Sequence, residues 1–144
     1  MKSILYVLGL FLLVSSCHQK TSNQVFFDQS DITKSTLNSV IEAKVIEHIE
    51  NTTVTTEMCK KHPCYASLEI TRIVQNGQNY HGQFSEGDTI EAYFNFTLDN
   101  TSKLFPQLNK TLPGLNKGTI FQAELFEKEG IENTYSIQLY VLKN

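Results

Sequence analysis

Five stretches of the chain carry the alternation of apolar and polar residues that marks a half-buried β-strand. The clearest is 89–98, where Ile90, Ala92, Phe94, Phe96 and Leu98 alternate with Thr89, Glu91, Tyr93, Asn95 and Thr97. The run 40–50 alternates through Ile41, Ala43 and Val45, slips at Ile46 and resumes at Ile49. The run 65–74 places Ala66, Leu68 and Ile70 on one face and slips to Ile73. A slip of one position within a strand is the signature of a β-bulge. Two later runs follow: 119–127 points Phe121, Ala123 and Leu125 inward, and 134–142 points Tyr135, Ile137, Leu139 and Val141 inward. Turn residues separate the runs at Asn76-Gly77, Glu86-Gly87-Asp88 and Glu129-Gly130.

The third and fourth runs are joined by TSKLFPQLNKTLPGLNKG. Phe105, Leu108, Leu112 and Leu115 recur there at helical spacing, with Pro106 suited to a first turn and Pro113-Gly114 to an end. The spacing predicts one short helix. Three strands, a helix and two strands is an order that resembles the OB-fold, a five-stranded Greek-key barrel with its helix between strands 3 and 4. The bulges fit, because small barrels bend their strands around corners. This resemblance is topological and covers about residues 40–142. The alternative is an immunoglobulin-like sandwich of about seven strands, with Val25-Phe26-Phe27 and a split long strand supplying the extra two.

Ahead of the domain stands MKSILYVLGLFLLVSSC. Lys2 charges its start, residues 4–14 are apolar or small, and Ser15-Ser16 lead into Cys17. Eleven such residues make a helix of roughly 16 Å, too short for a bilayer core of about 30 Å. The combination resembles the lipobox of bacterial lipoproteins, although Ser16 and Val14 are not its commonest choices. That resemblance implies a signal peptide over 1–16 and a lipidated Cys17. The polar stretch after it lacks an acid next to the Cys, which by the same resemblance implies the outer membrane. Residues 17–39 then form the lipidated Cys and its flexible tether, and 40–144 form the barrel domain.

Composition adds limits. The chain has 144 residues, 40% of them hydrophobic and 19% charged, so it is a folded domain and not a disordered tail. Its formal charge of −3 becomes −4 once Lys2 leaves with the leader. With no basic stripe, no nucleic acid is expected as a partner.

The remaining chemistry concentrates in Met58-Cys59-Lys60-Lys61-His62-Pro63-Cys64. In an oxidising compartment, Cys59 and Cys64 suit a disulfide across the loop joining the first two strands. Thiolates with His62, and Met58 nearby, would instead suit a soft metal such as Cu(I) or Zn. Lys60, Lys61 and His62 would also favour a redox-active thiol. A four-ligand zinc pattern and the two-residue spacing of thioredoxin-type dithiols are both missing, which places the disulfide first. No phosphate loop, GxSxG elbow or HExxH pair occurs, and His48 and His81 stand alone. Glu42, Glu47, Glu69, Glu91 and Glu124 fall on outward strand positions, as the wet face of a sheet requires.

The expected function is therefore a non-catalytic binding or interaction module with no cofactor and no resident metal. It is held to the membrane by lipid and meets an envelope protein or glycan. The alternative is a metal-handling or thiol-redox protein using Cys59, His62 and Cys64. By resemblance to OB-folds, a ligand would meet the face of strands 2 and 3 and the loops 52–64 and 127–133. Lys60, Lys61, His62 and Tyr93 are the candidate contacts, with Tyr93 suited to stacking on a sugar ring.

Overall fold

The structure, a computed structural model, describes residues 36–50, 56–127 and 134–143. The leader, Cys17, the tether as far as residue 35, Val25-Phe26-Phe27, and the loops 51–55 and 128–133 lie outside the described residues. Among the described residues six strands form: β1 (Ser39–Ile49), β2 (Tyr65–Gln75), β3 (Thr89–Phe94), β4 (Ile120–Glu127), β5 (Thr134–Ile137) and β6 (Tyr140–Leu142).

β1, β2 and β3 pair antiparallel in succession, β3 pairs parallel with β5, and β5 pairs antiparallel with β4. β4 returns to pair with β1, which closes a five-stranded barrel. This is the strand arrangement of a small OB-like barrel and not of a two-sheet sandwich. β5 and β6 both lie along β4, and their registers differ by one residue. They are one strand broken at Gln138 and Leu139.

Bulges sit where the alternation slips. Ile46 has no partner between the Val45↔Leu68 and Glu47↔Ser67 pairs, and Thr71 is the extra residue between Ile70 and Arg72. Inside the barrel, Ile41, Ala43, Val45, Ala66, Leu68, Ile70, Ala92 and Ala123 are almost wholly removed from water. Alanine at four of these positions leaves room for Phe94, Phe121 and Tyr140, whose ring centroids lie 5.7–6.0 Å apart.

Two expectations need correction. No helix forms between β3 and β4. Phe105 N–H reaches Thr101 O at 2.9 Å, giving a single turn, and Leu108 N–H reaches Phe105 O at 3.1 Å. The chain then turns back so that Thr101 clasps Leu112: each backbone N–H meets the other residue, Thr101 N to Leu112 O at 3.0 Å and Leu112 N to Thr101 Oγ1 at 2.8 Å. The stripe is real in its inward ends, since Leu112 and Leu115 are buried, but turns deliver it. The second correction concerns 134–142. The break at Gln138 and Leu139 shifts the inward phase, so Tyr140 is buried and Val141 is only half-buried. β3 likewise ends at Phe94, because Leu98 N–H and the Thr97 hydroxyl both turn to Pro63 O, at 2.8 and 2.9 Å.

The tyrosine has a further task. Tyr140 donates its hydroxyl to Pro113 O, tying the last strand to the loop before β4. Burial pushes its phenol well above the ordinary range, so the hydroxyl stays a donor.

On the outer surface, Arg72 Nη2 meets Glu42 Oε1 at 2.5 Å and Lys143 Nζ meets the same oxygen at 3.4 Å. The Arg72 hydrogen bond holds the Glu42 carboxyl below its usual range, against the opposing effect of partial burial, with Lys143 adding to the lowering. A lowered native value means that Glu42 stabilises the fold above the unfolded value of about 4.3. That contribution disappears as pH falls through the lowered native value. Wild type is thus expected to exceed Glu42→Gln in stability at pH 7 by up to about 1 kcal/mol, because Arg72 is more than half exposed. Urea titrations at pH 7 and pH 3 check this: the gap should be smaller in the second than in the first.

Candidate functional site

The loop from β1 to β2 is described from residue 56 onward, and it is firmly built. Cys59 and Cys64 are joined by a disulfide with Cα atoms 5.4 Å apart. Lys61 N–H and His62 N–H both turn back to Met58 O, at 3.0 and 2.9 Å, which coils the residues between the cysteines into a tight turn. Joined to each other, the two sulfurs offer no thiolate to a metal, and no three His, Cys, Asp or Glu side chains converge among the described residues.

A second anchor comes from the loop after β3. His62 Nδ1 lies 2.8 Å from Asp99 Oδ2, and a carboxylate only accepts, so this nitrogen carries the proton. Leu98 N–H and the Thr97 hydroxyl bind Pro63 O, and Phe94 N–H binds Cys64 O at 2.8 Å. The two loops therefore form one unit at a single end of the barrel. The other nearby imidazole is also committed, with His48 Nε2–H donating to Leu115 O at 2.7 Å. His81 stands apart and exposed in the turn between β2 and β3.

Directly below this unit, Tyr65 and Tyr93 face each other across the β2–β3 ladder. Their ring centroids are 5.0 Å apart at an interplanar angle of 45°, and both rings remain partly accessible. Burial, followed by the Tyr65 phenol beside it, raises the Tyr93 hydroxyl above its ordinary range. Tyr93 is therefore a neutral donor at physiological pH. Beside the pair, an open groove of about 590 Å³ is lined by the end of β1 and residues 59–65, a size in the range of small-molecule sites.

Of the four predicted contacts, Lys60, Lys61 and His62 share the loop and Tyr93 adjoins it through Tyr65. The cationic character expected of the loop tip is much reduced. Lys60 pairs with Glu57 at 2.5 Å and His62 with Asp99, while Lys61 makes no ion pair with the described residues. The second predicted loop, 127–133, is described only at Glu127, which lies at the opposite end of the barrel, 2.7 Å from Gln83 Nε2. Tyr65 and Asp99 were not foreseen. Tyr65 follows Cys64 at an outward strand position, a signal available in the sequence; Asp99 meets His62 only through the closure of the barrel.

Serine at both Cys59 and Cys64 is expected to cost about 2 kcal/mol, the loop-closure term for so short a ring. The loop itself should persist, because the Pro63, Cys64 and His62 bonds remain. Thermal unfolding should show a lower midpoint, while the amide signals of Leu98 and Asp99 stay dispersed in the NMR spectrum.

Compared with known proteins, the chain matches no family model, no curated protein and no solved structure.

Proposed function

We propose that this protein is a membrane-anchored envelope lipoprotein whose barrel is a non-catalytic binding module. Its partner would be an envelope protein or glycan. The observation that carries the binding reading is the pinned loop 59–64 standing over the accessible Tyr65–Tyr93 pair. A rigid loop beside aromatic faces lowers the ordering cost of binding and gives a flat ligand, such as a sugar ring, something to stack on. A disulfide suits an exported domain, which supports the leader reading from a second direction.

The anchor reading rests on Cys17 after Val14-Ser15-Ser16. Lipidation there would supply the several acyl chains that stable membrane attachment needs. Expressed in a Gram-negative host, the wild-type chain is expected in the outer-membrane fraction and labelled by a palmitate analogue. Cys17→Ser should lose the label and leave that fraction. A wild-type chain that is unlabelled and freely soluble would refute the anchor. The binding reading is tested by Tyr93→Ala: retention on purified cell-wall glycan should fall several-fold with the fold intact, and unchanged retention would count against this face.

A further inference from the structure

The loop beside the groove leaves little of its own main chain for a ligand. Lys61 N–H and His62 N–H go to Met58 O, Lys60 N–H goes to Thr56 O, and Cys59 N–H goes to the Thr56 hydroxyl. Pro63 has no N–H, and its carbonyl is taken by Leu98 and Thr97, as that of Cys64 is by Phe94. A peptide that binds as an added strand needs a row of unused backbone groups, and 59–63 offers no N–H for one. Recognition along this stretch falls to side chains.

One of those side chains has a fixed polarity. With the proton on Nδ1 and Asp99 holding it, Nε2 of the neutral His62 ring carries a lone pair. Nε2 has no hydrogen-bond partner among the described residues, and no unpartnered side-chain nitrogen among them is sealed from solvent. His62 and Tyr65 both line the groove, so an accessible acceptor stands near an aromatic face. No set of metal ligands converges on it among the described residues, and the group it suits is a hydrogen-bond donor. The charges along the groove oppose one another. Lys61 and Glu50 both line it exposed, Lys60 is paired with Glu57, and His62 is bonded to Asp99. Such a wall favours neither a strong anion nor a strong cation.

Resting on the binding reading above, we infer that the occupant is an uncharged sugar, with a ring face on the Tyr65–Tyr93 pair and a hydroxyl donating to His62 Nε2. Asp99 is then a positioning residue, since it fixes the tautomer that makes Nε2 an acceptor. A sugar hydroxyl both donates and accepts, so a neighbouring hydroxyl accepts from Lys61 Nζ. The C–H face of the same ring supplies the flat apolar surface that a tyrosine ring stacks on.

The test uses the full mature chain carrying nitrogen-15 histidine, and a set of uncharged tetrasaccharides built from glucose, galactose, mannose or N-acetylglucosamine. Tetragalacturonate and a mixture of flexible heptapeptides serve as the acidic and peptide alternatives. At least one uncharged tetrasaccharide should bind and shift the His62 Nε2 resonance while leaving Nδ1 in place. His62→Asn keeps a donor for Asp99 but loses the groove acceptor. Its affinity should fall about five-fold, the net worth of one neutral hydrogen bond. The wild-type resonances decide the matter even where the variant is unstable. An Nε2 that is protonated at neutral pH, or that ignores a bound sugar, overturns the inference, as does unchanged affinity in His62→Asn. Binding of tetragalacturonate or the peptides, but of no uncharged sugar, overturns it while the binding reading stands. Binding of none of them overturns both.

Discussion

Gly77→Ala is expected to destabilise the barrel by about 3 kcal/mol, the upper end of the usual cost of overpacking. A Cβ at this position would run into the backbone of Asn38 and the carbonyl oxygen of Leu37. Those atoms are not the tip of a side chain that rotates away. They belong to the segment held by the Gln78 and Asn79 amides, so relief requires the start of β1 to leave β2. The N–H of Gly77 would also lose Ser39 Oγ, a partner that is itself buried. Urea unfolding followed by circular dichroism checks this, with Gly82→Ala as a reference whose Cβ meets open space. Gly82 has a φ of +80°, so some backbone strain is expected there without any clash. A Gly77→Ala protein as stable as wild type would mean that the two segments do not touch.

Phe121→Ala is expected to cost about 3–5 kcal/mol. Phe121 is fully buried on β4, directly opposite Ala43 of β1. It holds Phe94 and Tyr140 around it, and the small residues Ala43, Ala92 and Ala123 of the same core carry only methyl groups, too short to fill a void. The cavity would therefore persist, and its size sets the penalty. For a domain of this size such a loss lowers the melting temperature by well over ten degrees or prevents folding. Phe121→Leu keeps most of the volume and serves as the milder partner, expected to lose less than half as much. If Phe121→Ala melted within a few degrees of wild type, the ring would not be at the centre of the core.

How far the sequence discloses this fold depends on which interactions define each part. The inward faces of β1, β2, β3 and β4 are legible because one face of a closed barrel is always buried, so alternation is enforced residue by residue. The bulges at Ile46 and Thr71 are legible for the same reason, as breaks in that enforcement. The stretch 99–116 is misread because a helical stripe and a pair of turns can bury the same leucines. What decides between them is the clasp of Thr101 on Leu112, whose members are eleven residues apart and share no local pattern. The phase change at Gln138 and Leu139 is hidden because Tyr140 and Val141 are both apolar enough for either face.

The candidate site divides in the same way. The spacing of Cys59 and Cys64 suits the disulfide that forms, and Tyr93 stands out as an aromatic at an outward position of the clearest strand. Asp99 carries no local mark. It lies 37 residues beyond His62 and reaches it only because β3 ends beside the disulfide loop. The pairing of Lys60 is a matter of the nearby Glu57, three residues earlier in a turn that the Met58 carbonyl organises. Sequence spacing alone does not separate a solvated lysine from one paired in this manner.

An exported, oxidised barrel held to a membrane through Cys17 is what the proposed function requires, and it is tested by the intact mass of the mature protein extracted from membranes, recorded before and after reduction. The predicted mass begins at Cys17, carries acyl chains, and rises by two hydrogens on reduction as the Cys59–Cys64 bond opens. An unacylated chain that still begins at Met1, or one whose mass does not change with reductant, would contradict it.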